Sequence, residues 1–449
     1  MKISIFWTWY VGLVSWACLA ELGHDVLCID IDEKKIQKLK DGIIPIFEPW
    51  LEDIVTRNFE SERLTFSTDI EEWVNFWKVI FSAVGTPPDK NNHNKADLRF
   101  VYEVAKTFWK NIKEYKVFVN KSTVPVWTGK ECYEIIKREI YERQLNIDFD
   151  VVSNPEFLRE GNAVKDFLLP DRVVIWSQSE KARLLMEDVY KPLKKNSTEL
   201  GFTQIIHTDI CSAEVIKYAS NAFLATKISF INEVANFCEL SGADIESVAL
   251  WVWSDRRIWK TFLNAGVWYG GSCFPKDLQA LVETWKEFGF DFSIISSVHE
   301  VNEKQKKMFF EKLKNKIGDF TWKKIWIWGI SFKPNTDDIR SAPSLSMIEE
   351  LLKTEVEEIR VYDPVAMENL KTVFSDTRIY YSQSSLDATQ DISALVLLTE
   401  WDEFKTPNLR QIRKNMKEYV ILDGRNLWDA QEIIDAWFEY QCIGKKINS

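Results

Sequence analysis

The opening of the chain restricts its fold more than any other part. Lys2 to Phe6 reads as a short buried strand, Val11 to Leu22 as a helix stopped by Gly23-His24, and Val26 to Ile29 as a second strand ending at Asp30. A strand, a crossover helix and a second apolar strand form a βαβ unit, which closes onto a parallel sheet. Val79 to Val84, Val117 to Asn120 and Val151 to Ser153 read as further buried strands with helical stretches between them, so a doubly wound parallel sheet is expected. Ile3 to Ala20 carries no charge and approaches the length of a membrane span. It lacks a basic flank beyond Lys2 and a clear cleavage site, and a turn and a strand follow at once, so it is assigned to the sheet.

Ser212 to about Leu240 is one long helical pattern without Pro or Gly, and helical character continues to about 312, broken by a loop at 264–277. Strands resume at Lys324 to Trp328, Ile359 to Tyr362, Ala394 to Leu398 and Val420 to Leu422. The expected architecture is two α/β domains, 1–205 and 313–449, joined by a helical domain over 206–312. The net charge of −11 argues against nucleic acid and anionic membrane as partners. Seven scattered cysteines without a C-x-x-C pair fit a reducing cytoplasm, and the four histidines have no metal-ligand spacing.

Several segments carry potential chemistry. Tyr269-Gly270-Gly271-Ser272-Cys273-Phe274-Pro275-Lys276-Asp277 sets a cysteine among small residues with a lysine and an aspartate close by. Cationic neighbours favour a nucleophilic thiolate, and the glycines allow close approach to the sulfur. A glycine turn around a buried structural cysteine would read the same way. The first turn would be a dinucleotide fingerprint if residues 7, 9 and 12 were all glycine, but only Gly12 is. Asp30 stands where a carboxylate binds a ribose hydroxyl, or where a strand merely ends in solvent. Lys121-Ser122-Thr123-Val124-Pro125 and Asn154 to Gly161, with Glu156 and Glu160, each follow a strand and reach a cleft or a plain polar loop. Lys217 and Asn221 share a helix face at i, i+4, either as a functional pair or as surface polarity.

Together with Tyr10-Val11-Gly12, Val84-Gly85-Thr86-Pro87, Lys217 to Phe223, Phe332 to Asp338 and Asp423-Gly424-Arg425-Asn426, these segments resemble the UDP-glucose/GDP-mannose dehydrogenase family over nearly the whole chain. The resemblance implies two Rossmann-like domains around a long central helix. It also implies an NAD-dependent four-electron oxidation at C6 of UDP-glucose, with GDP-mannose or a UDP-N-acetyl-hexosamine as the alternative substrate. Cys273 would trap the aldehyde as a thiohemiacetal that is oxidised to a thioester. Lys217 and Asn221 would stabilise oxyanions, Asp277 and Thr123 would position water or relay protons, and Glu156 and Glu160 would assist. Val11, Gly12, Asp30, Lys35, Thr86, Thr123, Glu160, Lys276 and Arg340 match cofactor contacts. Phe157, Leu158, Arg159, Lys217, Asn221, Phe262, Tyr269, Gly270 and Lys333 match substrate contacts. Arg257 resembles an arginine that reaches the partner subunit's substrate, which implies a homodimer. No metal and no membrane are implied.

The chain departs from this pattern in one systematic way. It has 20 Trp and only 16 Gly, about half the usual glycine content of ~7%. Trp7, Trp9, Trp16, Trp50, Trp127, Trp176, Trp253, Trp259, Trp268 and Trp437 stand where glycine or another small residue is expected. An indole at 9 would fill the pyrophosphate site, at 7 it would strain the turn, and at 268 it would crowd the cysteine loop. UGA codons, which some genetic codes assign to glycine and others to tryptophan, account for such a substitution. If the tryptophans are native, a nucleotide-sugar binding protein without catalysis is the competing reading.

Overall fold

A computed structural model describes every residue except 7–8, 196, 199–200, 287, 388–390 and 448–449. The chain divides into two units, Met1–Ser220 with Gln279–Phe288 and Asn221–Leu278 with Gly289–Ser449. The first holds an eight-stranded sheet. Its spatial order is Gln204–His207 (β8), Arg172–Ser177 (β7), Phe149–Ser153 (β6), Lys116–Asn120 (β5), Val79–Ser82 (β4), Lys2–Phe6 (β1), Asp25–Ile29 (β2) and Leu64–Ser67 (β3). β1 pairs in parallel with both β2 and β4, so the strand order reverses there and a crevice opens at the carboxyl ends. Tyr10–Glu21 (α1) is buried almost all round, which is why its sequence carries no polar stripe. Separate apolar clusters, one containing Leu13 and Phe167 and the other Phe108 and Ile136, complete the core of this unit.

One pairing differs from expectation. β7 runs antiparallel to β6, and β8 is parallel to β7, so the two strands at this edge oppose the rest. A parallel return must travel back the length of a strand, about 17 Å for five residues. The link after β6 spends residues 154–161 on a loop, and its helix, Ala163–Leu168 (α2), is six residues, roughly 9 Å.

The second unit has a six-stranded parallel sheet. Its order is Ile379–Tyr381 (β11), Glu358–Tyr362 (β10), Lys324–Trp328 (β9), Ile392–Leu397 (β12), Met416–Asp423 (β13) and Glu439–Gln441 (β14). The helices that precede it in sequence include Ile210–Ser241 (α3), Phe274–Lys286 (α4) and Ser293–Ile317 (α5). The loop expected to reach 277 stops earlier, because Pro275 fits the first helical turn and α4 begins at Phe274. Among the described residues no helix is long and apolar enough to cross a membrane.

Two groups of tryptophans stand out. Trp50, Trp127, Trp259, Trp322 and Trp437 have φ of 64°, 79°, 66°, 60° and 66°. This is left-handed backbone that glycine enters freely and a bulky residue rarely does. Trp322 was not among the positions read as glycine, and its sequence context gives no motif to betray it. The buried indoles of Trp16, Trp109, Trp268, Trp326 and Trp328 have N–H groups without a hydrogen-bond partner among the described residues. A buried indole N–H normally finds an acceptor. Trp9 is extended at φ −97°, a conformation open to any residue, and Trp7 lies outside the described residues.

Left-handed strain in a non-glycine residue costs on the order of 1–3 kcal/mol. Replacing Trp50, Trp127 or Trp437 by Gly should therefore raise the denaturation midpoint by the equivalent of about 1 kcal/mol each. Peptide masses from native cells should read glycine at 50, 127, 259, 322 and 437. Tryptophan in those peptides would remove the codon explanation.

Candidate active site

Parallel strands deliver their following loops to one edge, and five such loops carry candidate residues in the first unit. After β2, Asp30 is buried, accepts from the Asp32 backbone N–H at 3.0 Å and lies 3.8 Å from Lys35 Nζ. The Lys35 ammonium sits 5.6 Å from the centre of the Trp9 ring, so the half-exposed indole stands beside this pair. Val11 and Gly12 lie in the first turn of α1. Past β4 and β5, the Thr86 hydroxyl donates to the Thr123 carbonyl at 2.9 Å and the Ser122 hydroxyl to the Val84 carbonyl at 2.7 Å, tying the two loops together.

The loop after β6 holds the two carboxylates in different settings. Glu156 is buried, accepts from Leu158 N–H at 2.5 Å and pairs with Lys217 of α3 at 3.1 Å. The Phe157 ring lies between Arg172, 4.1 Å away, and Lys217, 5.4 Å away. Arg159 is largely exposed and held by Asp166 through two side-chain bonds of 2.9 and 2.6 Å. Glu160 is buried and lies near enough to Tyr10 to act on its phenol electrostatically. Between them stands Glu48, which the sequence reading missed. It accepts from the Tyr10 hydroxyl and from the Gly161 and Ala163 N–H groups, both at 2.7 Å, so it joins the first turn of α1 to the end of the 154–161 loop. Burial pushes the Glu48 carboxyl above its usual range, against the hydrogen bonds from Tyr10, Gly161 and Ala163. No local motif marks this role, because its partners lie 38 to 115 residues away in sequence.

In the second unit, Asn221 Nδ2 donates to Asp277 Oδ2 at 2.6 Å, and Lys276 Nζ donates to the other carboxylate oxygen at 2.6 Å. The Asp277 N–H donates to the Cys273 carbonyl at 2.8 Å, the first turn of α4. Cys273 is half-buried just before that helix, at the positive end of its dipole, and its Sγ lies 3.5 Å from Ser272 Oγ. Two glycines fix the loop. A side chain at Gly270 would come within 2.3 Å of the Ser341 carbonyl, and Gly271, at φ +83°, donates to the Arg340 carbonyl at 2.8 Å and would meet the Phe332 ring. Tyr269 is locked by Asn302, which bonds both its backbone groups, and its ring meets Phe274 edge-on, as Phe262 approaches Phe274 from 6.2 Å. Lys333 lies 5.2 Å from the centre of the Phe332 ring, and Arg340 is exposed and clamped by Asp338. Arg257 is 86% exposed, with Asp255 as its recorded ion-pair partner.

The two sheets treat their first turns differently. After β9, the Ile330 and Ser331 N–H groups donate to Asp363 at 2.8 and 3.0 Å, and the Trp401 indole donates to the same oxygen at 3.0 Å. Asp363 follows β10 as Asp30 follows β2, and its other carboxylate oxygen accepts from the Val365 and Ala366 N–H groups at 3.0 and 2.9 Å.

Residues 1–194, 211–304 and 326–430 match, in turn, the NAD binding, central and UDP binding domains of the UDP-glucose/GDP-mannose dehydrogenase family. The chain belongs to this family. It is 44% identical to the UDP-glucose 6-dehydrogenase TuaD of Bacillus subtilis over 444 residues, 99% of this chain and 93% of that protein. A UDP-glucose dehydrogenase structure from Pyrobaculum islandicum matches with a TM-score of 0.85 and 34% identity, covering 96% of this chain and 95% of that one. A UDP-D-ManNAc dehydrogenase from Pyrococcus horikoshii matches with a TM-score of 0.84 and 25% identity, covering 99% of this chain and all of that one. The chain is thus an NAD-dependent oxidoreductase with the α/β architecture its sequence implies.

NAD fits the first unit at Asp30, at Thr86 and Thr123, and at the open space beside Gly85, where an added Cβ would meet nothing. Among the described residues, Trp9 is a poor fit. Trp9→Gly should tighten NAD binding by ~10-fold or more, about 1.4 kcal/mol, while UDP affinity stays the same. Titration of each ligand separately checks this, and unchanged NAD affinity would place the pyrophosphate elsewhere.

Proposed function

We propose that the chain oxidises UDP-glucose to UDP-glucuronate through a covalent adduct on Cys273. The observation that carries this reading is the Cys273–Asp277–Asn221 arrangement, a half-buried thiol one helical turn from a carboxylate that anchors a helix-borne amide. NAD, when bound, supplies hydride acceptance. In the net reaction two hydrides and three protons leave the C6 alcohol and one water, and the water oxygen enters the product. Oxidation past the aldehyde needs a covalent stop between the two hydride losses, and a thiolate provides one. Cys273 Sγ bonds to the aldehyde carbon, and the oxygen of the adduct becomes anionic. Lys217 and Asn221, one turn apart on α3, offer N–H donors to that oxygen. Asp277 holds the Asn221 amide in place, and with Thr123 it positions the water that cleaves the thioester. Glu156 and Glu160 take up protons, and Phe157, Leu158, Tyr269 and Lys333 hold the sugar nucleotide. The residue roles above rest on family matching together with these contacts.

The same proposal includes a homodimer built on the helical stretch 206–312. Phe223, Phe230 and Phe237 recur every seventh residue on α3 and are 65%, 52% and 66% exposed. A seven-residue period keeps apolar side chains on one stripe of a helix, the arrangement that a second helix covers. Exposed Arg257 is free of the core and suits a reach toward a partner's substrate. Seven unbridged cysteines suit the cytoplasm.

Cys273→Ser should lower uronate formation by at least ~10²-fold, because an alcohol traps and passes on the aldehyde poorly. The unaltered enzyme should yield two NADH per UDP-glucose across a panel of sugar nucleotides. One NADH with accumulating aldehyde would leave a simple alcohol dehydrogenase. Phe230→Glu should weaken self-association by ~30-fold or more, about 2 kcal/mol at an interface anchor. Sedimentation velocity reads this directly, and an unchanged dimer would move the interface off this stripe.

A further inference from the structure

Lys121 poses an electrostatic problem that the proposed chemistry leaves open. It closes β5 and is 5% exposed. Its ammonium has two recorded hydrogen-bond acceptors, both neutral and both distant: Asn154 Oδ1 at 3.3 Å and the Tyr190 hydroxyl at 3.4 Å. Those acceptors are also committed to each other, since the Tyr190 hydroxyl donates to Asn154 Oδ1 at 2.5 Å, and Asn154 Nδ2 donates to the Val174 carbonyl. The Phe167 and Tyr190 rings lie 5.8 and 6.0 Å from the ammonium. A buried cation held only by weak neutral acceptors is costly unless a nearby anion compensates it.

The anion that acts on it is Glu156, and the cation that opposes it is Lys217. Lys121, Glu156 and Phe157 line one cleft, and Lys217 meets Glu156 at 3.1 Å. Three charged groups are therefore buried together, two positive and one negative. Other charges at the cleft are Arg172, stacked on Phe157, and Asp166, engaged by Arg159. In an ordinary ion pair, Lys217 could not turn toward an anionic oxygen without leaving Glu156 as an uncompensated buried charge, which is strongly unfavourable.

We propose that Lys121 is a positioning residue that compensates Glu156, so that Lys217 can leave this carboxylate for the oxyanion of the Cys273 adduct. The inference rests on the oxyanion role proposed for Lys217. Lys121 touches neither substrate nor cofactor in this scheme. It acts only as a charge, and it must be protonated to act. Burial, reinforced by Lys217 and opposed by Glu156, pulls its amine down to about 8. The rate that depends on it is therefore full below that pH and falls as pH rises through it.

The test uses the full-length enzyme and compares Lys121→Met, Lys121→Arg, Lys217→Met and the double Met variant, each checked for folding by circular dichroism. Lys121→Met should lower kcat by ~10-fold or more, within the range of coupling between neighbouring charged residues, and leave both KM values close to the starting ones. Lys121→Arg should restore most of kcat at neutral pH and carry the activity past the decline near 8. The double variant should be no worse than Lys217→Met alone. A normal kcat in Lys121→Met, additive losses in the double variant, or equal damage in the Met and Arg variants with an unmoved pH profile would overturn the proposal. Full activity in Lys217→Met would instead remove the oxyanion role. If Lys121→Met does not fold, the Arg variant and the unaltered enzyme still decide, because no decline near 8, or one that Arg leaves in place, contradicts it.

Discussion

Lys217 and Glu156 meet at 3.1 Å with side chains only 4% and 5% exposed, and most of the surrounding site follows from that placement. An ion pair removed from water must have its remaining donors and acceptors satisfied. Glu156 takes a second bond from the Leu158 N–H, which bends the loop after β6 back on itself. That bend presents the Phe157 ring to Arg172 and Lys217. Further along the loop, Glu48 takes the Gly161 and Ala163 N–H groups and secures the loop against the first turn of α1. A loop that would otherwise be mobile is thus held at both ends by buried carboxylates, with the polar surface of the site between them.

Much of this was legible in the sequence, and the reasons differ by element. Strands buried on both faces read as short apolar runs, and β1, β9 and the start of α3 fall within two residues of their expected bounds. The cysteine loop, the 154–161 loop and the Lys217–Asn221 face were all visible, because each depends on residues close together in sequence. Glu48 and the burial of Lys121 were not, since what defines them is contact with α1, α2 and a helix tyrosine far along the chain. The reversal of β7 was hidden too. It depends on how far a six-residue helix reaches, and periodicity does not measure this.

The tryptophans divide along the same line. Those at 50, 127, 259 and 437 were recognisable from neighbouring motif residues, whereas Trp322 emerges only from its backbone angle. Backbone conformation is set by tertiary packing around a position and persists when the side chain is wrong for it. Among the described residues, left-handed φ at five tryptophans and five buried indole N–H groups without acceptors are two independent marks of a backbone shaped around smaller residues.

The cysteine loop touches residues 332 and 340–341 through a backbone hydrogen bond and two glycine contacts too tight for any Cβ. This has a consequence for recombination between relatives. A crossover within residues 318–323, between the helices and the second sheet, would pair a nucleophile loop from one parent with its backbone mould from another. Chimeras that exchange nucleotide-sugar specificity should instead move 264–278 together with the C-terminal sheet, keeping the mould and its cast from the same parent.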